Sequence, residues 1–512
     1  MTHRVRAALA GAATLLALAA PAAQASPDQL SIIMDDDLLV YRDDATRDAA
    51  MRQAKALGAD AVRVTVLWSV VADGARKTQA RDRRFRRLGA DDPRAYPRLN
   101  WDRYDRLVRA CGTLGLQCYL DVTPPGPSWG HKTAPRSQRK SRATWMPKAS
   151  AFGQFVTAVG KRYSGRFKDE NDGRRALPRV SFWALGNEPN QGGWLTPQWY
   201  KGKPYAPHLY RQLYLYGRRA LQKTGHGNDL ILLGELAPLG SSKKTTRSPM
   251  RPKQFIRELF CVGADDQPLR GGAARSLSKY GPLQASAFAH HPYTKNVAPT
   301  QRDPHPDAVT MANIGELPAL LDDISAKSAR IAPGLPILST EFGFETNPPD
   351  PFSGVPLDTQ AQWNAQGDYL AYNEPRLIGQ TQFLLRDVPP VKRHKKNSKA
   401  YWFTYQSGLF SAGGTPKPAA TAFALPFLVL AQAPGVANVW GQLKFAPNGA
   451  ATGAQVQWRP ADGSADWANV GAPLPADVRG FFGGDVPVPG PGQLRAVWPD
   501  RPDVPSLGQP VG

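Results

Sequence analysis

Acidic residues are scarce in this sequence. Asp and Glu number 42 against 64 Lys and Arg, giving a formal net charge of +22. Cysteine is scarcer still, with Cys111, Cys118 and Cys261 the only three in 512 residues. So small and odd a number excludes a disulfide framework, and an oxidising compartment could make one bridge at most. Cys111 and Cys118 fall on an expected helix and the strand after it, where buried thiols are expected. No Cys/His cluster has zinc-ligand spacing and no glycine-rich loop could cradle a phosphate, so neither a metal nor a cofactor is expected. No Ser-His-Asp pattern or metal-ligand set marks another kind of hydrolase. No aromatic-plus-basic module makes nucleic acid a partner. Past the N-terminus, no apolar run reaches the ~18–20 residues of a membrane span, so no stable membrane insertion is expected.

The N-terminus itself reads as a secretory signal. Arg4 and Arg6 precede an apolar run over residues 8–20, and Ala23-Gln24-Ala25 supplies a small-residue cleavage site before Ser26. A signal over 1–25 implies an exported, soluble protein, secreted to the outside or to the cell envelope and expected to act as a monomer. Its loss leaves a charge of about +20, still strongly basic.

With 42% hydrophobic residues and 13 Trp, the chain has material for more than one domain. Short apolar runs alternate with helical periodicity over residues 26–432. The strands are expected at 29–34, 59–68, 116–122, 179–187, 229–236, 284–291, 335–342 and 377–385. The aromatic stretch 401–405 is a weaker candidate for the eighth, because a helical run directly precedes 377–385. Helices are expected between them, one opened by Asn100 as its cap and closed by Gly115. Eight such alternations predict an α/β fold, a (β/α)8 TIM barrel. From about residue 433 the helical periodicity stops. Strands separated by Gly, Pro and Asp turns then predict a small C-terminal antiparallel β-sandwich over 433–512, packed on the barrel.

Two of the barrel strands end in a carboxylate. The run 180–190 stops at Asn187-Glu188-Pro189, since proline has no N–H to continue the ladder. The run 336–344 ends in Glu341. In a barrel both glutamates reach the catalytic, C-terminal mouth, where a paired acid/base and nucleophile would cleave a glycosidic bond. Arg63 on the second strand could keep Glu341 ionised, and Tyr293 could donate a hydrogen bond to it. Asn187 is placed to hold a sugar hydroxyl, and His291 is preferred over His290 for the site because Tyr293 follows it. Trp68 and Trp129 could stack on sugar faces. Glu235 and Glu345 read as structural or peripheral.

In combination these motifs resemble the retaining glycoside hydrolases of the large (β/α)8 clan that includes the family-five cellulases. The resemblance covers about residues 26–432. It implies Glu188 in Asn-Glu-Pro as acid/base, Glu341 in STEFG as nucleophile, Arg63 beside the nucleophile, and His291 and Tyr293 near the reacting sugar. The expected partner is then a carbohydrate; a glycan-binding protein whose catalysis has lapsed is the alternative. Basic stretches at 76–87, 131–142, 243–253 and 392–399 follow strands two, three, five and eight, all on the catalytic face. They suit an anionic glycan or envelope polymer, or they are solvated loops of an arginine-rich protein.

Overall fold

Each barrel strand is apolar on both faces, which is what a parallel strand covered by helices requires. In the computed structural model, which describes residues 29–72, 83–269 and 281–512, eight such strands close into a barrel. They are β1 (Leu30–Met34), β2 (Ala61–Leu67), β3 (Gln117–Thr123), β4 (Phe182–Ala184), β5 (Leu230–Leu236), β6 (Ala287–His290), β7 (Ile337–Phe342) and β8 (Leu377–Phe383). Neighbours pair in parallel in chain order, and β8 closes on β1 through Leu30–Gly379 to Met34–Phe383. All eight expected strands form, and 377–383 rather than 401–405 is the eighth. The secretory signal at 1–25 and most of the basic stretch 76–87 lie outside the described residues.

A helix follows every strand: α1 (Asp44–Ala56), α2 (Arg98–Leu114), α3 (Ala149–Arg162), α4 (Ala206–Leu221), α5 (Pro252–Phe260), α6 (Glu316–Ser328), α7 (Leu357–Tyr372) and α8 (Pro418–Ala424). In α2 the face of Trp101, Tyr104, Leu107, Val108 and Cys111 is buried, and Gly115 ends it at φ +64°. The helix starts three residues earlier than its composition suggests, capped by Pro97. Asn100 sits inside it, its Nδ2 donating to the Val71 carbonyl at 3.2 Å.

The core has two layers. Alternate residues such as Ile32, Ala61, Tyr119, Phe182, Leu232 and Leu338 fill the barrel's inside, with Tyr119 and Phe182 stacked at 4.1 Å. Their neighbours in sequence, among them Val62, Leu120, Trp183 and Phe288, pack outward against the helices. All three cysteines are buried and free.

The C-terminal unit contains one sheet of β9 (Phe427–Ala433), β10 (Val436–Gln442) and β12 (Phe481–Pro487). A second is built around β11 (Gly453–Pro460), β13 (Gly492–Val497) and β14 (Gln509–Val511). The boundary expected at 432/433 falls inside this unit. Ala433 pairs with Val436, so Pro434-Gly435 is a two-residue hairpin turn rather than a domain junction, and β9 belongs to the sandwich. The unit packs on the barrel through Lys444–Asp368 at 2.7 Å, Arg479–Asp60 at 3.2 Å, and Trp440 against Tyr369 and Tyr372. Gly58 lies so close to the Lys444 backbone that a Cβ there would stand 2.1 Å from its carbonyl oxygen.

Candidate active site

Alternation along β2 sends Ala61, Arg63 and Thr65 into the barrel, and along β3 it sends Tyr119, Asp121 and Thr123. The glutamates arrive by a different route. On β5, Gly234 pairs with Ala289 but Leu236 pairs with the next residue, His290, so β5 carries one extra residue. On β7, Ser339 and Phe342 face Gln380 and Gln382, again one residue too many. Each bulge re-aims a side chain that strict alternation would turn outward. Glu235, at φ +55°, and Glu341 are the residues re-aimed. Past β4 the chain turns at Gly186 (φ +107°) and Glu188 (φ +37°). Bonds from Gly186 N to Asp121, Asn187 N to Thr123 Oγ1 and Glu188 N to the Glu235 carbonyl hold that turn. A glutamate at positive φ costs roughly 1–3 kcal/mol and persists only under such constraint.

Arg63 is fully buried beneath these ends. Its Nη1 donates to Glu341 Oε1 at 2.9 Å and to Met34 Sδ, and its Nη2 to Asn187 Oδ1 and Glu235 Oε2 at 2.8 Å and to Asp121 at 3.3 Å. Tyr293 donates to the other Glu341 oxygen at 3.0 Å. His291, also buried, bridges three carboxylates. Its Nε2 lies 2.8 Å from Glu235, and its Nδ1 lies 3.1 Å from Glu188 and 3.5 Å from Glu341. Tyr119 and Thr340 donate to Glu235 from the remaining sides.

Burial opposes a charge on His291, but Glu341, Glu188 and Glu235 together push it up to about 10. At neutral pH it is an imidazolium. Burial would also raise Glu235, yet Arg63 and His291 hold its carboxyl at about 2. Burial and the Glu235 charge push Asp121 up to about 8. Burial raises Glu341 as well, with the His291 and Arg63 cations pulling the other way. Tyr293, raised by burial and by the Glu341 charge, stays a donor. His290 is different: burial lowers it to about 3, and its Nε2 faces the Val309 carbonyl at 2.8 Å, so it is a neutral core residue.

One donor atom each from Glu188, His291 and Glu341 lies within 4.8 Å of the others, the spacing that could draw a metal. An imidazolium has no lone pair to offer a cation, so a metal could enter only by displacing the His291 proton.

Above this floor opens a cleft of about 840 Å³, with Asn187, Glu188, Tyr293 and Glu341 in its lining. The structure thus brings together Arg63, Asn187, Glu188, His291, Tyr293 and Glu341. It does not bring Trp68 or Trp129. β2 ends at Leu67, and Trp68 begins a helical turn that swings it out among Phe155, Phe152 and His131. Gly126 and Gly130 lie against its ring so tightly that a Cβ on either would come within 2.3 Å. Trp129 packs edge-on to Trp68 at 5.5 Å, away from the cleft. Besides Tyr293, the aromatic walls are Trp194, Tyr405, Tyr41, Phe344 and Phe383. Trp194 lies only six residues past Glu188, a nearness the sequence displays, and Tyr405 comes from the aromatic run 401–405, the weaker strand candidate. Glu235 is the hub of the floor rather than peripheral, and Glu345 lines the cleft, its carboxyl raised to about 7 by burial.

No family model matches the chain, and no curated protein does. Solved structures overlap its fold loosely. One is a family 39 glycoside hydrolase from the gut symbiont Bacteroides cellulosilyticus (14% identity, TM-score 0.47, covering 91% of this chain and 82% of that one). A second is a protein of subfamily GH5_18 from Streptomyces cattleya in complex with GlcNAc (16%, TM-score 0.46, covering 78% and 79%). A third, also of subfamily GH5_18, is from Bifidobacterium longum subsp. infantis (15%, TM-score 0.45, covering 77% of each chain). The functional reading rests on the cleft's own side chains.

Proposed function

We propose that this chain is an exported retaining glycoside hydrolase. The observation that carries the reading is that one carboxylate oxygen of Glu188 and one of Glu341 come within 4.8 Å of each other at the floor of a cleft. A retaining pair stands ~5–5.5 Å apart, whereas an inverting pair leaves ~6.5–9.5 Å for a water.

Glu341 is the nucleophile. Arg63 and Tyr293 each donate to one of its oxygens, orienting the carboxylate and favouring its anion against the cost of burial. It attacks the anomeric carbon, the bond to the leaving oxygen breaks, and a glycosyl-enzyme ester forms. Glu188, less buried and backed by His291, gives its proton to that oxygen, then takes one from the water that hydrolyses the ester. Asn187 accepts from Arg63 through Oδ1, leaving its Nδ2 protons for a sugar hydroxyl, a contact that strengthens in the transition state. Trp194 and Tyr405 offer faces on which sugar rings stack. The substrate is a poly- or oligosaccharide, and the basic loops support one that carries anionic groups.

The test is turnover of a panel of aryl glycosides. Glu341→Gln is expected to lose activity by at least about 10⁴-fold. Glu188→Ala should lose roughly 10²–10⁴-fold on poor leaving groups and far less on activated ones. Equal loss on both kinds of leaving group removes the acid role, and binding without any turnover favours a lapsed, glycan-binding protein.

A further inference from the structure

The charge on the catalytic face is sharply divided. Among the residues lining the cleft, Asp36, Asp37, Glu188, Glu341 and Glu345 are acids, and Lys295 is the one basic side chain. Beside the cleft the sign reverses. The segments 131–148, 189–207 and 237–251 follow β3, β4 and β5, and together they hold twelve Lys and Arg and no Asp or Glu.

These three segments abut. Met146 N bonds the Thr196 carbonyl at 2.7 Å, Gln198 N the Thr246 carbonyl at 2.9 Å, Thr246 Oγ1 reaches Gln138 at 2.8 Å and Arg247 reaches Ser141 at 3.0 Å. Arg136, Arg139, Lys140, Lys243, Lys244 and Arg247 are exposed on the joined surface. None of the twelve forms an ion pair with a carboxylate among the described residues, although ion pairs are common elsewhere in the chain. So many unneutralised cations repel one another and raise the local concentration of any polyanion. The segments after β4 and β5 also supply Gln191, Trp194, Leu239, Gly240 and Pro249 to the cleft wall. The basic rim therefore adjoins the cleft through these two loops.

We infer that the rim formed by the loops after β3, β4 and β5 binds a polyanionic stretch of the substrate glycan, while an uncharged sugar occupies the acidic cleft. This rests on the glycosidase reading for the identity of the cleft's occupant. The floor cations Arg63 and His291 are already engaged by Glu188, Glu235 and Glu341. An ionised sugar at the scissile bond would therefore meet Asp36, Asp37 and Glu345 with Lys295 alone to answer them, whereas one several units away would lie over cations. A glycan is favoured over nucleic acid because two of the three loops that carry the cations also wall the cleft.

Affinity electrophoresis of the whole protein through gels holding polygalacturonate, dextran or single-stranded DNA tests the rim without calling on turnover. Polygalacturonate should retard the protein, dextran should not, and about 0.5 M salt should weaken the retardation at least about tenfold by screening. The variant R139E/K140E/K243E/K244E should lose at least about tenfold in apparent affinity, with its fold checked by thermal unfolding. Reversal of exposed Arg166 and Lys223, at the other end of the barrel, should change nothing. Retardation that ignores salt or the fourfold variant, or that is as strong in DNA as in polygalacturonate, overturns the inference. For the cleft, aryl glycosides of neutral sugars should turn over and the matching glucuronide or galacturonide should not. Preference for the uronide overturns the inference; silence on every glycoside, with rim binding intact, removes the glycosidase reading alone.

Discussion

Two arginines are buried to the same degree in this molecule and are used in opposite ways. Arg162, at the end of α3, lies between helices. It grips Asp105 with Nε and Nη2 at 2.8 and 2.6 Å, reaches Glu170, and lies over the Trp101 ring at 5.0 Å. That ring stacks on Phe155, and Phe155 on Trp68, so the arginine ends an aromatic pile between barrel and helices. Arg63, inside the barrel, is divided among Glu341, Glu235, Asp121 and Asn187, and its Nε has no protein partner. In the first geometry the arginine is gripped chiefly by one buried carboxylate, Asp105, while Asp169 is also held by Arg109 and Glu170 opens to solvent. In the second, Asp121, Glu188, Glu235 and Glu341 share two cations, Arg63 and His291. A buried pair in balance contributes order, whereas a surplus of buried acid shifts proton affinities and so supplies groups that can exchange protons.

Truncation separates the two most strongly. Arg63→Met and Arg162→Met should each cost ~3–5 kcal/mol in urea unfolding, because each strands buried carboxylates. Only Arg63→Met should also abolish the turnover of the fraction that remains folded. Comparable specific activity in the two variants would erase the distinction.

A finer separation uses pH. Glu235→Gln removes one of the three anions that hold His291 near 10. The His291 imidazole titration, followed by NMR, should then move to lower pH, with kcat down by roughly 10–100-fold. Asp105→Asn should destabilise the protein without moving that titration. The sign follows from a raised histidine: its stabilising contribution is full below 6.5 and is lost as pH rises through about 10. Unfolding free energies measured across that window check it.

The smallest effect concerns the tryptophans. Trp68→Phe should cost ~1–3 kcal/mol of stability and leave KM alone. Trp194→Ala should raise KM about fivefold with little loss of stability, as expected for a lost stacking contact of ~1 kcal/mol.

The same contrast explains how much the sequence revealed. All eight barrel strands could be read, because a strand buried on both faces writes a continuous apolar run. Glu188 and Glu341 could be read because each stands where such a run stops. Glu235 could not, since its inward turn depends on one extra residue against β6, a pairing that the linear order does not display. Trp68 misled for a related reason: at the end of a strand, one further helical turn decides which side of the wall a ring faces. Trp194 and Tyr405 sit in loops without periodicity, so only the folded chain shows them beside the carboxylates. Pro434-Gly435 read as a junction, but the pairing of Ala433 with Val436 makes it the bend of a hairpin.

The contact between the two units has its own consequence. Asp60 stands immediately before β2, and Tyr372 just before β8 begins, so the sandwich grips the barrel at the end where strands start. It has no share in the walls of the cleft and cannot act as its cover. A surface or protein that seized the sandwich would hold the barrel from behind, with its mouth turned outward to whatever drifts past.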